Sequence, residues 1–294
     1  MDGAAVATVR RFNRLVTQRV GALDDHFLAR DRPLGEARLL WEIGEDGCDV
    51  RELRARLGLD SGYVSRLLRS LEAAGLVVVQ PGEHDGRVRA ARLTPRGAAE
   101  RAELDRRSDE LATSLLAPLS VSQRDRLVAA MSEVERLLTA AMVEIAPVDP
   151  ADPRARHCVR EYAAELQRRF SGGFDPGRSR SVQDEELRPP AGIMLLASLQ
   201  SEPVGCGCLR FHGNEPAEIK RLWVSSAVRG LGVGRRLLAG LEAHAGEGGS
   251  ETVRLDTNGS LLEAIAMYRS SGYVEVAPFN DEPYAHHWFE KRLR

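Results

Sequence analysis

No stretch of the sequence approaches the roughly 20 uninterrupted apolar residues that a bilayer span requires. Met1 to Arg11 has no apolar core of the kind a secretory leader carries. A cytoplasmic location without membrane contact is the expectation. Cysteine is scarce, and Cys48, Cys158, Cys206 and Cys208 are too scattered for a disulfide scaffold. Cys206 and Cys208 would share one face of a strand. Two thiolates do not complete a zinc shell, so they read as small core residues and no metal site is expected. Aromatic residues make up only 5% of the chain, which leaves its cores to Leu, Val, Ala and Ile. Neither sign of charge dominates: the formal net charge is −2, which excludes a polycation.

What is present is ordinary globular material, 43% hydrophobic and 29% charged over 294 residues, enough for two domains. The first half reads mostly helical and the second alternates helices and strands, which argues for two folds. The stretch Ala146-Pro-Val-Asp-Pro-Ala-Asp-Pro153 stops any helix, because proline removes backbone donors and fixes φ. It predicts a linker, with a first strand of the next domain just before or within it. The expected domains are therefore 1–145 and 146–294.

In the first domain Val50, Leu53 and Leu57 recur at helical spacing, and Gly58-Leu59-Asp60 breaks the helix. Asp60 can cap the next one. That helix places Val64, Leu67, Leu68 and Leu71 on one face at i, i+3, i+4, i+7. Ser65, Arg66 and Arg69 lie on its other face, with Ser61 and Tyr63 near its start. Gly75 ends it. Two short helices about a tight turn make a helix-turn-helix. Val77 to Val79 then favour a strand, Pro81 to Gly86 is turn chemistry, and Val88 to Leu93 returns with Arg87, Arg89 and Arg92 nearby. Between Val50 and Arg96 nine arginines face five acids, so this segment is the basic patch of a near-neutral chain. A helix of this size fits a major groove, and an arginine-bearing hairpin fits the adjoining phosphates.

The stretch Asp60-Ser-Gly-Tyr-Val-Ser-Arg-Leu-Leu-Arg-Ser-Leu-Glu-Ala-Ala-Gly-Leu76, the wing Asp85-Gly-Arg87 and the closing Leu93-Thr-Pro-Arg-Gly97 resemble the MarR family of transcriptional regulators. The resemblance covers about residues 5 to 145. It implies a mainly α winged helix-turn-helix that binds double-stranded DNA at a palindromic operator. Ser61, Tyr63, Ser65, Arg66 and Arg69 would face the groove, and Arg87 and Arg89 the wing contacts. It also implies a homodimer built on the first and last helices. The residues agree independently: Ser120-Val-Ser-Gln123 is a capping box, and Leu127, Met131, Val134, Leu138 and Ala141 space as a coiled-coil seam does. A winged helix that only binds other proteins is the competing reading.

In the second domain Arg160 to Phe170 predicts a helix. Ile193–Leu199, Val204–Phe211 and Glu218–Val224 predict strands, the first two joined by Gln200-Ser-Glu-Pro203. Then comes Arg229-Gly-Leu-Gly232-Val-Gly234-Arg235, opening a helix that carries Leu237, Leu238 and Leu241 on a core face. Glycines let a backbone approach a ligand closely, and free amides at a helix start attract anions. This is a diphosphate cradle. A dinucleotide fold would use related chemistry, with an acid about twenty residues on, where Glu251 and Asp256 stand. The preceding hairpin strands argue against it. Glu251 to Asn258 predicts the next strand, Ser260 a cap for a helix through Tyr268 to Gly272, and Tyr273–Val276 and His287–Leu293 the last strands.

The Arg-x-x-Gly-x-Gly cradle, together with Ala266-Met-Tyr-Arg-Ser-Ser-Gly-Tyr273, resembles the GNAT acetyltransferases over about residues 146 to 294. The resemblance implies an α/β fold with a mixed central sheet that transfers acetyl directly from acetyl-CoA to a small amine. It places the cofactor along Leu222, Val224, Arg229, Gly230, Leu231, Gly232, Val233, Gly234 and Arg235, with Asn258 at the pantetheine arm. Tyr268 would be the acid that meets the leaving thiolate, since a phenol stays protonated at neutral pH. Glu218 would be the base. The tail before the last strand would wall the acceptor site, with Asn280, Tyr284 and His286 as contacts. Protein lysine is an alternative acceptor. A transcription factor whose GNAT half senses acetyl-CoA or a metabolite without turnover is the alternative function.

Overall fold

Asp2, Asp49, Asp60 and Asp152 cap four of the helices by accepting first-turn amides. Residues 2–23, 26–81, 89–180, 182–213 and 215–293 are described in the computed structural model. They form two compact units, Met1–Ala129 and Ala130–Arg294.

The first unit runs α1 (Gly3–Arg19), α2 (Leu34–Ile43), β1 (Cys48–Asp49), α3 (Val50–Leu57), α4 (Ser61–Ala73), β2 (Val77–Pro81), β3 (Arg89–Leu93), α5 (Pro95–Leu116) and the start of α6 (Val121–Met142). Gly58 ends α3 in the left-handed region at φ 63, and Asp60 accepts from the Tyr63 amide at 2.9 Å to start α4. Val64, Leu67, Leu68 and Leu71 are buried, as their spacing predicts. The three strands pair antiparallel in the order β1-β3-β2. The Leu-Thr-Pro-Arg-Gly segment has a steric logic. Thr94 caps α5 by accepting from the Gly97 amide at 3.0 Å and donates to Gly75 O at 2.8 Å. A Cβ on Gly97 would lie 1.9 Å from Leu76 O, so only glycine admits this crossing. The Ser120–Gln123 capping box is present, with both amides satisfied. Arg87 and the wing tip, residues 82–88, lie outside the described residues.

The divide between the units falls inside α6, ahead of the expected boundary at 145/146. The end of α6 belongs to the second unit, where Arg236 donates to Ala140 O at 2.9 Å and Val143 O at 2.7 Å. The proline-rich stretch is not a free linker. Glu144–Val148 forms β4, which pairs antiparallel with β5 (Gly192–Leu199) at the edge of a seven-stranded sheet. An edge strand tolerates Pro147, whose missing N–H can face away from the ladder. Pro153 opens α7 (Pro153–Arg169) behind an Asp152 cap, so this helix begins earlier than the expected Arg160.

The remaining elements are β6 (Glu202–His212), β7 (Glu215–Val224), α8 (Val233–Glu247), β8 (Thr252–Thr257), α9 (Leu262–Ser270), β9 (Val274–Val276) and β10 (His287–Arg292). The sheet order is β4-β5-β6-β7-β8-β10-β9. It is mixed, because β7 and β8 run parallel while the other neighbours are antiparallel. Ser260 is not the cap of α9. Leu261 takes that place without a side-chain bond, and the Ser260 amide instead donates to Asn258 Oδ1 at 2.9 Å.

Alternation along the strands fills two cores. Leu195, Leu209 and Ile219 join Leu237, Leu238 and Leu241 of α8 on one face. Met194, Leu196, Cys206 and Cys208 join Ala155 and Cys158 of α7 on the other. Each fully buried leucine contributes roughly 2 kcal/mol. The Cys-Gly-Cys run is small for a reason: a Cβ on Gly207 would meet Leu241 Cδ1 at 2.8 Å, so α8 could not lie so close. Both thiols are fully buried, and burial pushes Cys208 up to about 12. Lys291 of β10 ties to Glu242 of α8 at 2.7 Å.

Candidate functional site

Strands β7 and β8 pair at Ala217↔Val253 and Glu218↔Arg254, at the beginning of β7. Beyond that point the strands part. The β6/β7 register also shifts between Cys206/Trp223 and Cys208/Lys220, so β7 carries a bulge, and Arg221 sits at φ 52. Bulges of this kind re-aim side chains next to sites. Two cavities open where the strands diverge.

The first, of about 550 Å³, is lined by the cradle. Gly230 and Gly232 both adopt φ 77, a conformation that side chains resist. Gly232 caps α8 with no side-chain bond, so the helix's first amides face the cavity mouth without an internal acceptor. Leu222, Val224, Arg229, Gly230, Gly232, Val233, Gly234 and Arg235 all line it. Leu231 does not; it packs half-buried against the core. Asn258 lies at the other cavity, where it donates to Tyr284 O at 2.7 Å and shapes the turn. The Arg229 guanidinium donates to Val224 O at 2.9 Å and pairs with Glu165. Burial raises the Glu165 carboxyl, but bonds from Arg229 and Trp223 outweigh it and hold it below its usual value. Arg169 adds a third cation at the mouth, bonded to Ser260 O and Glu263. These residues fit a diphosphate: oriented amides, open backbone and arginines, with no bulky side chain at Gly232.

The second cavity, of about 450 Å³, is walled by Phe170, Phe174 and Tyr284 and floored by Lys220, Arg221 and Asp256. Tyr162, Leu166, Leu222, Leu261, Ala264 and Tyr268 line both cavities. Tyr268 therefore stands at the junction. Its ring packs on Tyr273 and Phe289, each at 5.9 Å, and among the described residues nothing hydrogen-bonds its hydroxyl. Burial, then the charge of Asp256, pushes the phenol above its ordinary value.

Glu218 is not brought to this junction. It lines neither cavity, is only 3% exposed, and pairs with Arg210 at 2.9 Å and Lys220 at 3.2 Å. Burial raises its carboxyl, but Lys220, His212 and Arg210 together hold it down to about 2. A carboxylate so satisfied is a poor proton acceptor. Of the expected acceptor contacts only Tyr284 lines the cavity. Asn280 donates to Glu218 and Asp256 from behind, and the exposed His286 accepts from the Gly259 amide at 3.2 Å. The residues missed by sequence reasoning are Glu165, Arg169, Arg221 and, as a site residue, Asp256. No local motif marks them; the divergence of β7 from β8 gathers them.

On α4 Ser61, Arg66 and Arg69 are exposed, while Tyr63 and Ser65 are half-buried. Arg66 lies over the Tyr63 ring at 5.6 Å, and Arg69 donates to Ser65 O at 3.2 Å. Arg89, at the start of β3, is exposed. Neither helix arginine has a carboxylate partner among the described residues.

Comparison with known proteins places these features. Residues 159–273 match the acetyltransferase (GNAT) family and residues 31–88 the MarR family. An IAA acetyltransferase of Azospirillum brasilense is 32% identical over 113 residues, 38% of this chain and 74% of that protein. An uncharacterized N-acetyltransferase of Schizosaccharomyces pombe is 34% identical over 98 residues, 32% of this chain and 60% of its own length. A GNAT acetyltransferase of Elizabethkingia anophelis, whose structure contains acetyl-CoA, is 17% identical over 52% of this chain and 99% of that one, with TM-score 0.36. The PcaV transcriptional regulator of Streptomyces coelicolor is 22% identical over 44% of this chain and 89% of that one, with TM-score 0.34. No helix among the described residues is long and apolar enough to cross a membrane. By its second unit the chain belongs to the GNAT acetyltransferase family, and it carries a MarR-family region ahead of that unit.

Proposed function

We propose that this chain is a DNA-binding transcriptional regulator that also transfers acetyl from acetyl-CoA to a small amine. The observation that carries the catalytic half is the pair of cavities meeting at Tyr268, one with a phosphate cradle and the other with polar and aromatic walls. Acetyl-CoA would supply an activated acyl group as its thioester. The amides of Gly232 to Arg235 and the guanidinium of Arg235 would hold the diphosphate. The protonated phenol of Tyr268 would give its proton to the departing sulfur. Phe170, Phe174 and Tyr284 would exclude water from the acceptor.

Acetyl-CoA titrated calorimetrically into the full chain should bind, and the Arg229→Ala, Gly232→Val double variant should not. With a suitable amine the protein should release thiol. Tyr268→Phe should lower kcat at least about tenfold with acetyl-CoA affinity retained. Absence of binding would end the acetyltransferase reading.

The regulatory half rests on the exposed arginines of α4 and on the apolar seams. Val9, Phe12 and Leu15 of α1, and Met131 and Leu138 of α6, are solvent-exposed in the single chain. Such seams suit a homodimer presenting two α4 helices to a palindromic operator.

A further inference from the structure

Three features of the second cavity remain unexplained by a generic amine. Arg221 is a left-handed non-glycine residue at the β7 bulge, a strained position of the kind found at ligand sites. Arg221 lines the cavity, and its guanidinium donates to Val182 O at 3.0 Å. Among the described residues no carboxylate pairs with it.

The opposite charge stands nearby. Asp256 Oδ1 accepts from Lys220 at 2.6 Å and Asn280 at 3.0 Å. Its Oδ2 has no partner among the described residues. Lys220 also pairs with Glu218 at 3.2 Å, so its charge is shared between two carboxylates. Glu282 also lines the cavity, but it is spent on the wall, accepting from Ser179 Oγ and the Arg180 amide.

The third feature is a ring cluster. Phe174 lies 5.0 Å from Tyr284, 5.9 Å from Phe170 and 6.5 Å from Tyr162. A guanidinium without a carboxylate partner, a carboxylate with one oxygen open and an aromatic wall in one cavity match one chemical class.

We propose that the acceptor is an amino acid with an apolar or aromatic side chain, its carboxylate on Arg221 and its amine at Asp256. This rests on the acetyltransferase reading above. The amine nitrogen bonds to the acetyl carbonyl carbon and the carbon–sulfur bond breaks. The acceptor enters as its ammonium ion; Asp256 takes the two protons that the nitrogen loses, one before attack and one after it, and passes each to solvent. Tyr268 protonates the sulfur and is reprotonated from solvent. The products are an N-acetyl amino acid, free thiol and one proton.

The test compares L-phenylalanine with phenethylamine, which lacks only the carboxylate, using thiol release by the full chain with acetyl-CoA. Phenylalanine should be favoured in kcat/KM by roughly 10- to 100-fold, the worth of a charge-assisted bond. In Arg221→Met that preference should collapse toward unity through KM, and Arg221→Lys should restore part of it. Equal use of both amines by the wild type overturns the proposal, with acetyl transfer intact. Calorimetry of phenylalanine into the protein loaded with coenzyme A separates the remaining cases. Arg221-dependent binding without turnover keeps the carboxylate subsite and removes the transferase reading. No binding and no turnover removes both.

Discussion

Glu218 shows what a single buried carboxylate can be for. Held at about 2 against an ordinary value near 4.3, it stays charged across the neutral range. Its folded value is depressed, so its stabilisation is present above about pH 4.3 and is lost as pH falls toward its folded value. Glu218→Gln should therefore lower the unfolding free energy by about 3 kcal/mol between pH 5 and 8, because Arg210 and Lys220 lose their shared partner. Thermal melts should show the deficit shrinking below pH 4. A constant deficit at all pH would sink this account. The sequence marked Glu218 for its place on a strand, but strand position does not reveal the partners Arg210 and His212 on the neighbouring strand. Tyr268 was legible because the Ala-Met-Tyr-Arg-Ser-Ser-Gly-Tyr segment is continuous. Arg221 and Asp256 were not, because their meeting depends on two strands that part.

At the scale of elements, caps and turns decide function. Gly232 faces open space where a Cβ would stand, yet it holds φ 77. Gly232→Ala should thus cost about 1 kcal/mol from backbone strain alone and weaken acetyl-CoA binding measurably by calorimetry. Unchanged affinity would mean the amides of α8 do not bind the diphosphate. For α4, Arg66→Ala with Arg69→Ala should reduce the slope of log affinity against log salt by roughly two on duplex DNA. An unaltered slope would place the DNA elsewhere. The element pattern was largely readable: α3, α4 and α8 follow from apolar spacing and from Asp60, Gly58 and Gly232. Around the Pro147–Pro153 stretch the expected first strand is present as β4, but the helix start at Pro153 was missed, because proline signals a break without telling a linker from the first turn of a helix.

At the scale of the whole molecule the exposed seams are the surface that the proposed homodimer would bury. Met131 is 51% and Leu138 61% exposed, values costly for a helix that works alone. Sedimentation should give a dimer that Met131→Glu with Leu138→Glu converts to monomer; a wild-type monomer at micromolar concentration would refute it. A last consequence lies in the chain's bases. Of its 41 lysines and arginines only Lys220 and Lys291 are lysine. Both ammonium groups are bound, to Asp256 and Glu242, each within 2.7 Å. Guanidinium groups do not acylate under mild conditions, and amines held against carboxylates are poor nucleophiles. Under the proposed binding of acetyl-CoA, the chain offers few side chains that its own thioester could modify, and they should emerge unacetylated after long exposure to that donor.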